Sequence, residues 1–198
     1  MTTVHRPDLA DLRRDAAACT RCELHAPATQ TVFGEGPASA WLMLVGEQPG
    51  DREDVEGAPF VGPAGRVLDT ALQRAGIDRD EVYVTNAVKH FRFERAGKRR
   101  IHKTPGVTHI RACRHWLDGE LAAVRPSAMA TLGAVAAKAL LGSGFKITKE
   151  RGRVLEWEGH QLVPTVHPSS ILRGPPEARE EALSALVADL EVVARLRP

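Results

Sequence analysis

A carboxylate and an amide, Glu47 and Gln48, stand side by side just after an apolar run, Trp41 to Val45, that breaks at Gly46. Pro49, Gly50 and the acids Asp51, Glu53, Asp54 and Glu56 follow, then Gly57, Gly62, Pro63 and Gly65, with Phe60 the one aromatic among them. A buried strand, a long Gly/Pro loop and a helix opening near Pro63 fit this order. In an α/β sheet, ligands bind beyond the carboxyl ends of the strands. A carboxylate, an amide and a ring there could grip a small planar molecule; a solvated acidic turn is the other reading. A second chemical group is sulfur. Cys19 and Cys22 form a Cys-x2-Cys pair, and Cys113 is the remaining thiol. Such soft ligands suit zinc or an iron–sulfur cluster. A fourth ligand must be of another type or be absent, and His25, His90, His109 and His115 all compete; three unrelated buried cysteines are the alternative.

The elements that must position these groups follow from periodicity. Residues 7–18 carry Leu9, Leu12 and Ala16 at helical spacing and deliver Cys19 and Cys22. Residues 23–40 read as loop, 41–45 as a strand, and 67–75 as a helix ended by Gly76. The β-branched stretch 81–88 reads as a second strand with Asn86 near its carboxyl end. Residues 91–106 are basic: Arg92, Arg95, Lys98, Arg99, Arg100, His102 and Lys103. A helix over 107–124, a strand over 128–132 and a helix over 134–141 come next. Residues 154–157 and 161–166 read as a strand pair, then His167-Pro168-Ser169-Ser170, then a helix over 177–196. Strands alternating with helices imply an α/β fold: a three-layer α/β/α sandwich around a central, mostly parallel sheet.

At 198 residues the chain is expected to form one domain, 1–198. With 43% hydrophobic and 26% charged residues it is of ordinary globular composition. A net charge of +2 is too small to argue for nucleic acid by itself, so a basic footprint must be local. No apolar run approaches the ~18 residues of a membrane span, no leader is evident, and three cysteines do not form a disulfide scaffold. The expected compartment is the cytoplasm and the expected state a monomer.

Taken together, GEQPGDRED, NAVKH, HPSSILR and the early Cys-x2-Cys resemble the family 4 iron–sulfur uracil-DNA glycosylases, over nearly the whole chain. KRRIH at 98–102 is similar to the UdgX-type subgroup, whose members become covalently joined to DNA after excising uracil. The resemblance implies the uracil-DNA glycosylase-like fold and a [4Fe–4S] cluster. It implies Cys19, Cys22, His90 and Cys113 as ligands, His90 standing where the commoner pattern has cysteine, and a staple near the basic insertion at about 91–106. The departure leaves zinc as the competing metal, since imidazole suits it too.

The implied substrate is uracil in DNA, single-stranded and possibly double-stranded, with the base extruded. Phe60 then offers a stacking face. The amide of Asn86 matches O4 and N3–H of uracil, and cytosine reverses that pattern; a strand-end turn residue is the plainer alternative. Gln48 holds O2 and the sugar–phosphate, and Asp51, Arg100, Ser169 and Arg173 also face the substrate. His167 donates to the developing charge on O2. Glu47 faces the positive sugar, and Asp54 holds the loop or a water. His102 is either part of a DNA-binding patch or the nucleophile that captures C1′, ending the reaction after one turnover. Lys146, Lys149, Arg151 and Arg153 form a further basic surface, a phosphate contact or a solvated hairpin. Two other readings stay open: a turnover glycosylase with KRRIH as a clamp, and a non-catalytic iron–sulfur DNA-binding module.

Overall fold

The computed structural model describes residues 7–198. Its centre is a five-stranded sheet in the order β2-β1-β5-β7-β6. These strands are β1 (Leu42–Gly46), β2 (Val82–Asn86), β5 (Ala128–Leu132), β7 (His160–Thr165) and β6 (Leu155–Trp157). All neighbours run parallel except β6, which pairs antiparallel at the edge. Every residue of β1, β2 and β5 is buried, as continuous apolar strands covered on both faces must be. The mixed, mostly parallel sheet with helices on both faces agrees with the three-layer expectation.

Helices α3 (Pro63–Arg74) and α8 (Arg179–Ala194) cover one face, with Leu68, Leu72, Leu186 and Leu190 packed on Leu42, Leu44 and Val84. The other face carries α4 (Val107–Val124) and α5 (Ala134–Leu141), through Leu117, Leu121, Ala136 and Leu140 against Met43, Val45 and Met129. Helix α1 (Leu9–Ala17) opens on an Asp8 cap and rests on α4. Among the described residues no helix is long and apolar enough to cross a membrane.

Five short elements differ from the sequence expectation. The acidic loop contains a helix, α2 (Asp51–Glu56), with three acids in its first turn and Gly57 at φ +77° closing it. At six residues between Gly/Pro clusters it is hidden from periodicity. The basic stretch is a hairpin, β3 (Phe93–Ala96) with β4 (Arg99–His102), turning at Gly97, φ +60°. Helices α6 (Ile147–Glu150) and α7 (Pro168–Arg173) are likewise single short turns. The second strand stops at Asn86 rather than at residue 88. Beyond it, Ala87 and Val88 donate N–H to the carbonyls of Gly46 and Glu47 at 2.9 and 3.0 Å.

A fully buried ion pair fixes that strand end. Lys89 Nζ lies 2.6 Å from Glu120 Oε2, with both side chains 0% exposed. The same ammonium donates to Thr85 Oγ1 and to the Asn86 carbonyl at 2.8 Å. Glu120 also accepts from Tyr83, Thr85 and the Gly34 N–H. A buried charge pair is tolerated when hydrogen bonds complete it, and here all three Lys89 donors are used.

Candidate active site and metal corner

The carboxyl ends of β1, β2, β5 and β7 open into one cavity of about 690 Å³. The chain leaves β1 toward β2 on one side, while β5 pairs on its other side, so the cavity lies at the topological switch of the sheet. Glu47, Phe60, Asn86, His102, His167 and Arg173 all line it.

Its floor is set by close approach. A Cβ at Gly46 would stand 2.3 Å from Asn86 Oδ1 and 2.7 Å from Phe60 Cζ. Only glycine lets the amide and the ring meet over the strand end. Phe60 holds φ +57°, rare for a bulky residue, and its carbonyl lies where a Gly65 Cβ would be, 1.6 Å away. Its ring stacks on His167, centroids 5.9 Å apart. Asn86 is 2% exposed, and its Oδ1 has no hydrogen-bond partner among the described residues. A buried acceptor left open inside a cavity calls for a donor from a ligand.

His167 caps α7. Its Nδ1 accepts from the Ser169 N–H at 3.1 Å and contacts Ser169 Oγ at 2.8 Å, so the ring hydrogen is assigned to Nε2. Arg173 reaches the same hydroxyl at 2.8 Å. Burial first, then the charge of Arg173, bring the His167 pKa down to about 4. The ring is therefore neutral at physiological pH, with its one N–H at Nε2. His102 ends β4 half-exposed, and burial and Arg173 lower its pKa too. Glu47 shows the opposite shift: burial raises its carboxyl to about 7, partly opposed by Arg173. Glu47 Oε1 and His102 Nε2 lie 3.6 Å apart, within ion-pair range but too far for a hydrogen bond. Oε1 has no hydrogen-bond partner among the described residues.

Three expected substrate contacts are instead committed to the protein. The Gln48 amide spans the hairpin base, donating to the carbonyls of Arg92 and Lys103 and accepting from the Arg92 N–H, all at 3.1 Å. It lines the cavity with no amide N–H left over. Arg100 turns away from the cavity and bonds to Asp51 and to buried Asp54, both at 2.5 Å. Its guanidinium also lies over the rings of Phe91 and Phe93. Asp51 is thus the partner of Arg100 and outside the cavity lining. Asp54 holds the loop, accepting from the Thr29 N–H at 3.0 Å.

Sequence reasoning passed over Glu53, which lines the cavity and accepts from the Gly62 N–H at 3.1 Å. It also missed the hairpin, although Gly97 between two four-residue runs is a hairpin signal.

The sulfur groups gather at a second place. Cys19, Cys22 and Cys113 lie near enough for their charges to act on one another, and burial raises the Cys22 and Cys113 thiols. No disulfide joins them. Trp116 Nε1–H donates to Cys19 Sγ at 3.2 Å and the Lys89 N–H to Cys113 Sγ at 3.4 Å. Of the four histidines, His109 is used up by Glu23 and the Gly106 N–H, His25 contacts the Cys22 carbonyl, and His115 packs on Trp116. His90 keeps a buried Nδ1 with no hydrogen-bond partner among the described residues, while Thr31 Oγ1 holds its Nε2 at 2.9 Å. N–H donors on two sulfurs and an orphaned imidazole nitrogen fit a metal centre with a hydroxyl behind its histidine. Among the described residues no three such side chains converge as they would on a single ion.

Comparison with known proteins places relatives beside this chain. The family model described as "Uracil DNA glycosylase superfamily" matches residues 33–191. The type-4 uracil-DNA glycosylase of Thermotoga maritima is 38% identical over 157 residues, covering 78% of each chain. That of Sulfurisphaera tokodaii is 34% identical over 176 residues, 84% of this chain and 77% of the relative. That of Archaeoglobus fulgidus is 32% identical over 181 residues, 87% of each.

Proposed function

The chain belongs to the uracil-DNA glycosylase superfamily and is an enzyme of that kind, and on that premise we propose that it excises uracil from DNA and then joins the abasic sugar to His102. The observation that carries the second step is the pairing of Glu47 Oε1 and His102 Nε2. Both sit in the cavity wall 3.6 Å apart with no hydrogen bond between them. Two electron-rich atoms facing one space suit a carbon that becomes positive.

Uracil stacks on Phe60 and meets the Asn86 amide, whose open Oδ1 accepts N3–H. As the N-glycosidic bond breaks, its electron pair leaves with uracil, and His167 Nε2–H donates to the charge on O2. Such a prepositioned neutral donor is worth about 3 kcal/mol in oxyanion sites. The Glu47 carboxylate stabilises the oxocarbenium ion at C1′. The Nε2 lone pair of neutral His102 then forms the bond to C1′. The imidazolium loses its Nδ1 proton to water, and the uracil anion gains one, so the reaction balances without a further reactant. This single-turnover course is that of the UdgX-type subgroup.

Cys19, Cys22, Cys113 and His90 Nδ1 would hold a [4Fe–4S] cluster. When bound, it cross-links the segment after α1, the end of β2 and helix α4, a structural task.

A turnover enzyme is the second reading. What favours it is the Glu47 pKa of about 7, which suits a base that activates water. The deciding experiment is a denaturing gel of protein incubated with uracil-containing single-stranded DNA, beside His102→Ala. Noncovalent complexes do not survive boiling in detergent. A shifted band that the variant lacks supports capture by His102. Free uracil without a shifted band gives the turnover enzyme, and no free uracil at all refutes the excision step.

A further inference from the structure

One concave surface has no part in the chemistry above. Beyond α5 the chain turns at Gly142 and passes through Phe145, Lys146 and α6 before reaching the edge strand β6. Gly144, Phe145, Lys146, Lys149, Glu150 and Leu155 enclose a second hollow of about 330 Å³. It adjoins the uracil cavity, because Ile147, between the two lysines in sequence, lines that cavity. Phe145 and Leu155 are half-buried and give the hollow an apolar wall. Its charge is set by three groups. Glu150 is neutralised by Arg153 at 2.8 Å, while Lys146 and Lys149 have no carboxylate partner among the described residues.

This segment is anchored rather than loose. Arg151 donates to Asp189 Oδ2 from Nε and Nη2, at 3.0 and 2.8 Å, and to the Ala185 carbonyl at 3.0 Å. The Gly152 N–H donates to the Pro164 carbonyl at 2.8 Å. Asp189 also accepts from Thr165 Oγ1, two residues before His167. The platform and the catalytic histidine are therefore tied to one carboxylate.

We propose that this hollow is a subsite for a nucleotide flanking the extruded uridine in single-stranded DNA. The base rests on Phe145 and Leu155, and Lys146 and Lys149 take its phosphate. An aromatic face beside unpaired cations is the usual equipment for sequence-tolerant single-strand binding. The hollow has room for one nucleoside and lies on one side of the uracil cavity only. Binding must therefore depend on which side of the uracil the strand extends.

The inference rests on the uracil-excising reading, and the test separates the two. Single-turnover uracil release is measured against protein concentration on two oligonucleotides, one extended only 5′ of the uracil and one only 3′. Phe145→Ala should raise the half-saturating concentration about tenfold on one of them and leave the maximal rate and the other substrate unchanged. An abasic spacer in place of the flanking base should reproduce that loss in the wild-type protein. Lys146→Gln with Lys149→Gln, both exposed and safe for folding, should flatten the dependence of log affinity on log salt by about 0.7, the value for one phosphate contact on a single strand. Equal effects on both substrates, no effect of the spacer, or an unchanged salt slope would overturn the subsite. Absence of uracil release from the wild-type protein would instead overturn the function on which it rests.

Discussion

Gly46→Ala is the sharpest test of the proposed uracil slot. The added Cβ would lie 2.3 Å from Asn86 Oδ1, whereas ordinary contact begins near 3.4 Å, so the amide must retreat by about 1 Å. Its backbone cannot yield. Asn86 is in register with Gly46 across β1 and β2, and Lys89 Nζ holds its carbonyl at 2.8 Å. The side chain must rotate, and Phe60, with Cζ at 2.7 Å, must tilt into the cavity. A misplacement of about 1 Å at a reacting centre costs on the order of 100-fold in rate. Overpacking a core typically costs ~1–3 kcal/mol; here the displaced groups move into open cavity, so the low end of that range applies. The assay is single-turnover uracil release from a labelled oligonucleotide, with a thermal melt alongside. A rate reduced about 100-fold with a melting temperature lowered by only a few degrees is expected. A rate within threefold of wild type would refute the idea that contact across Gly46 shapes the slot.

Four further outcomes are expected. Excision should rise with pH through about 7, because the proposed course needs Glu47 ionised and its carboxyl is raised to that value. Arg173→Gln should move this limb to higher pH, since Arg173 lowers the Glu47 pKa; a limb that stays in place would remove Arg173 from the electrostatics. Arg100→Ala leaves buried Asp54 without its cation and should destabilise the protein by about 3 kcal/mol. In that variant adduct yield should fall more than uracil release, read as the ratio of shifted band to free uracil. His90→Ala should lower iron content and melting temperature together while uracil release per folded molecule changes little; stoichiometric zinc in the purified wild-type protein would overturn the cluster.

The sequence exposed most of the scaffold because the central strands are buried on both faces and the longer helices have clear periodicity. The strand Ala128–Leu132 and the helices Val107–Val124 and Ala134–Leu141 match their expected bounds. The short elements stayed hidden because six-residue α2 and the four-residue strands of the hairpin give too little pattern. Site residues were legible as types, not as commitments. Gln48 and Arg100 have the chemistry to hold DNA, and only the fold shows that their hydrogen bonds are spent on the hairpin. His90 was separable from His25, His109 and His115 by its orphaned Nδ1, which spacing alone cannot reveal.

The fastening of that hairpin also makes it a handle. Gln48 clasps its base and Arg100 rivets one face, so the position of His102 is independent of the turn at Gly97 and Lys98. A side chain built at Gly97 would meet nothing within 4 Å. Each doubling of a loop adds only about 0.6 kcal/mol of closure entropy. A peptide tag or fluorophore-bearing segment spliced between Gly97 and Lys98 would therefore ride on the protein without moving the groups of the candidate site; under the proposed capture by His102 it would give a reagent that marks uracil in DNA and stays where it has reacted.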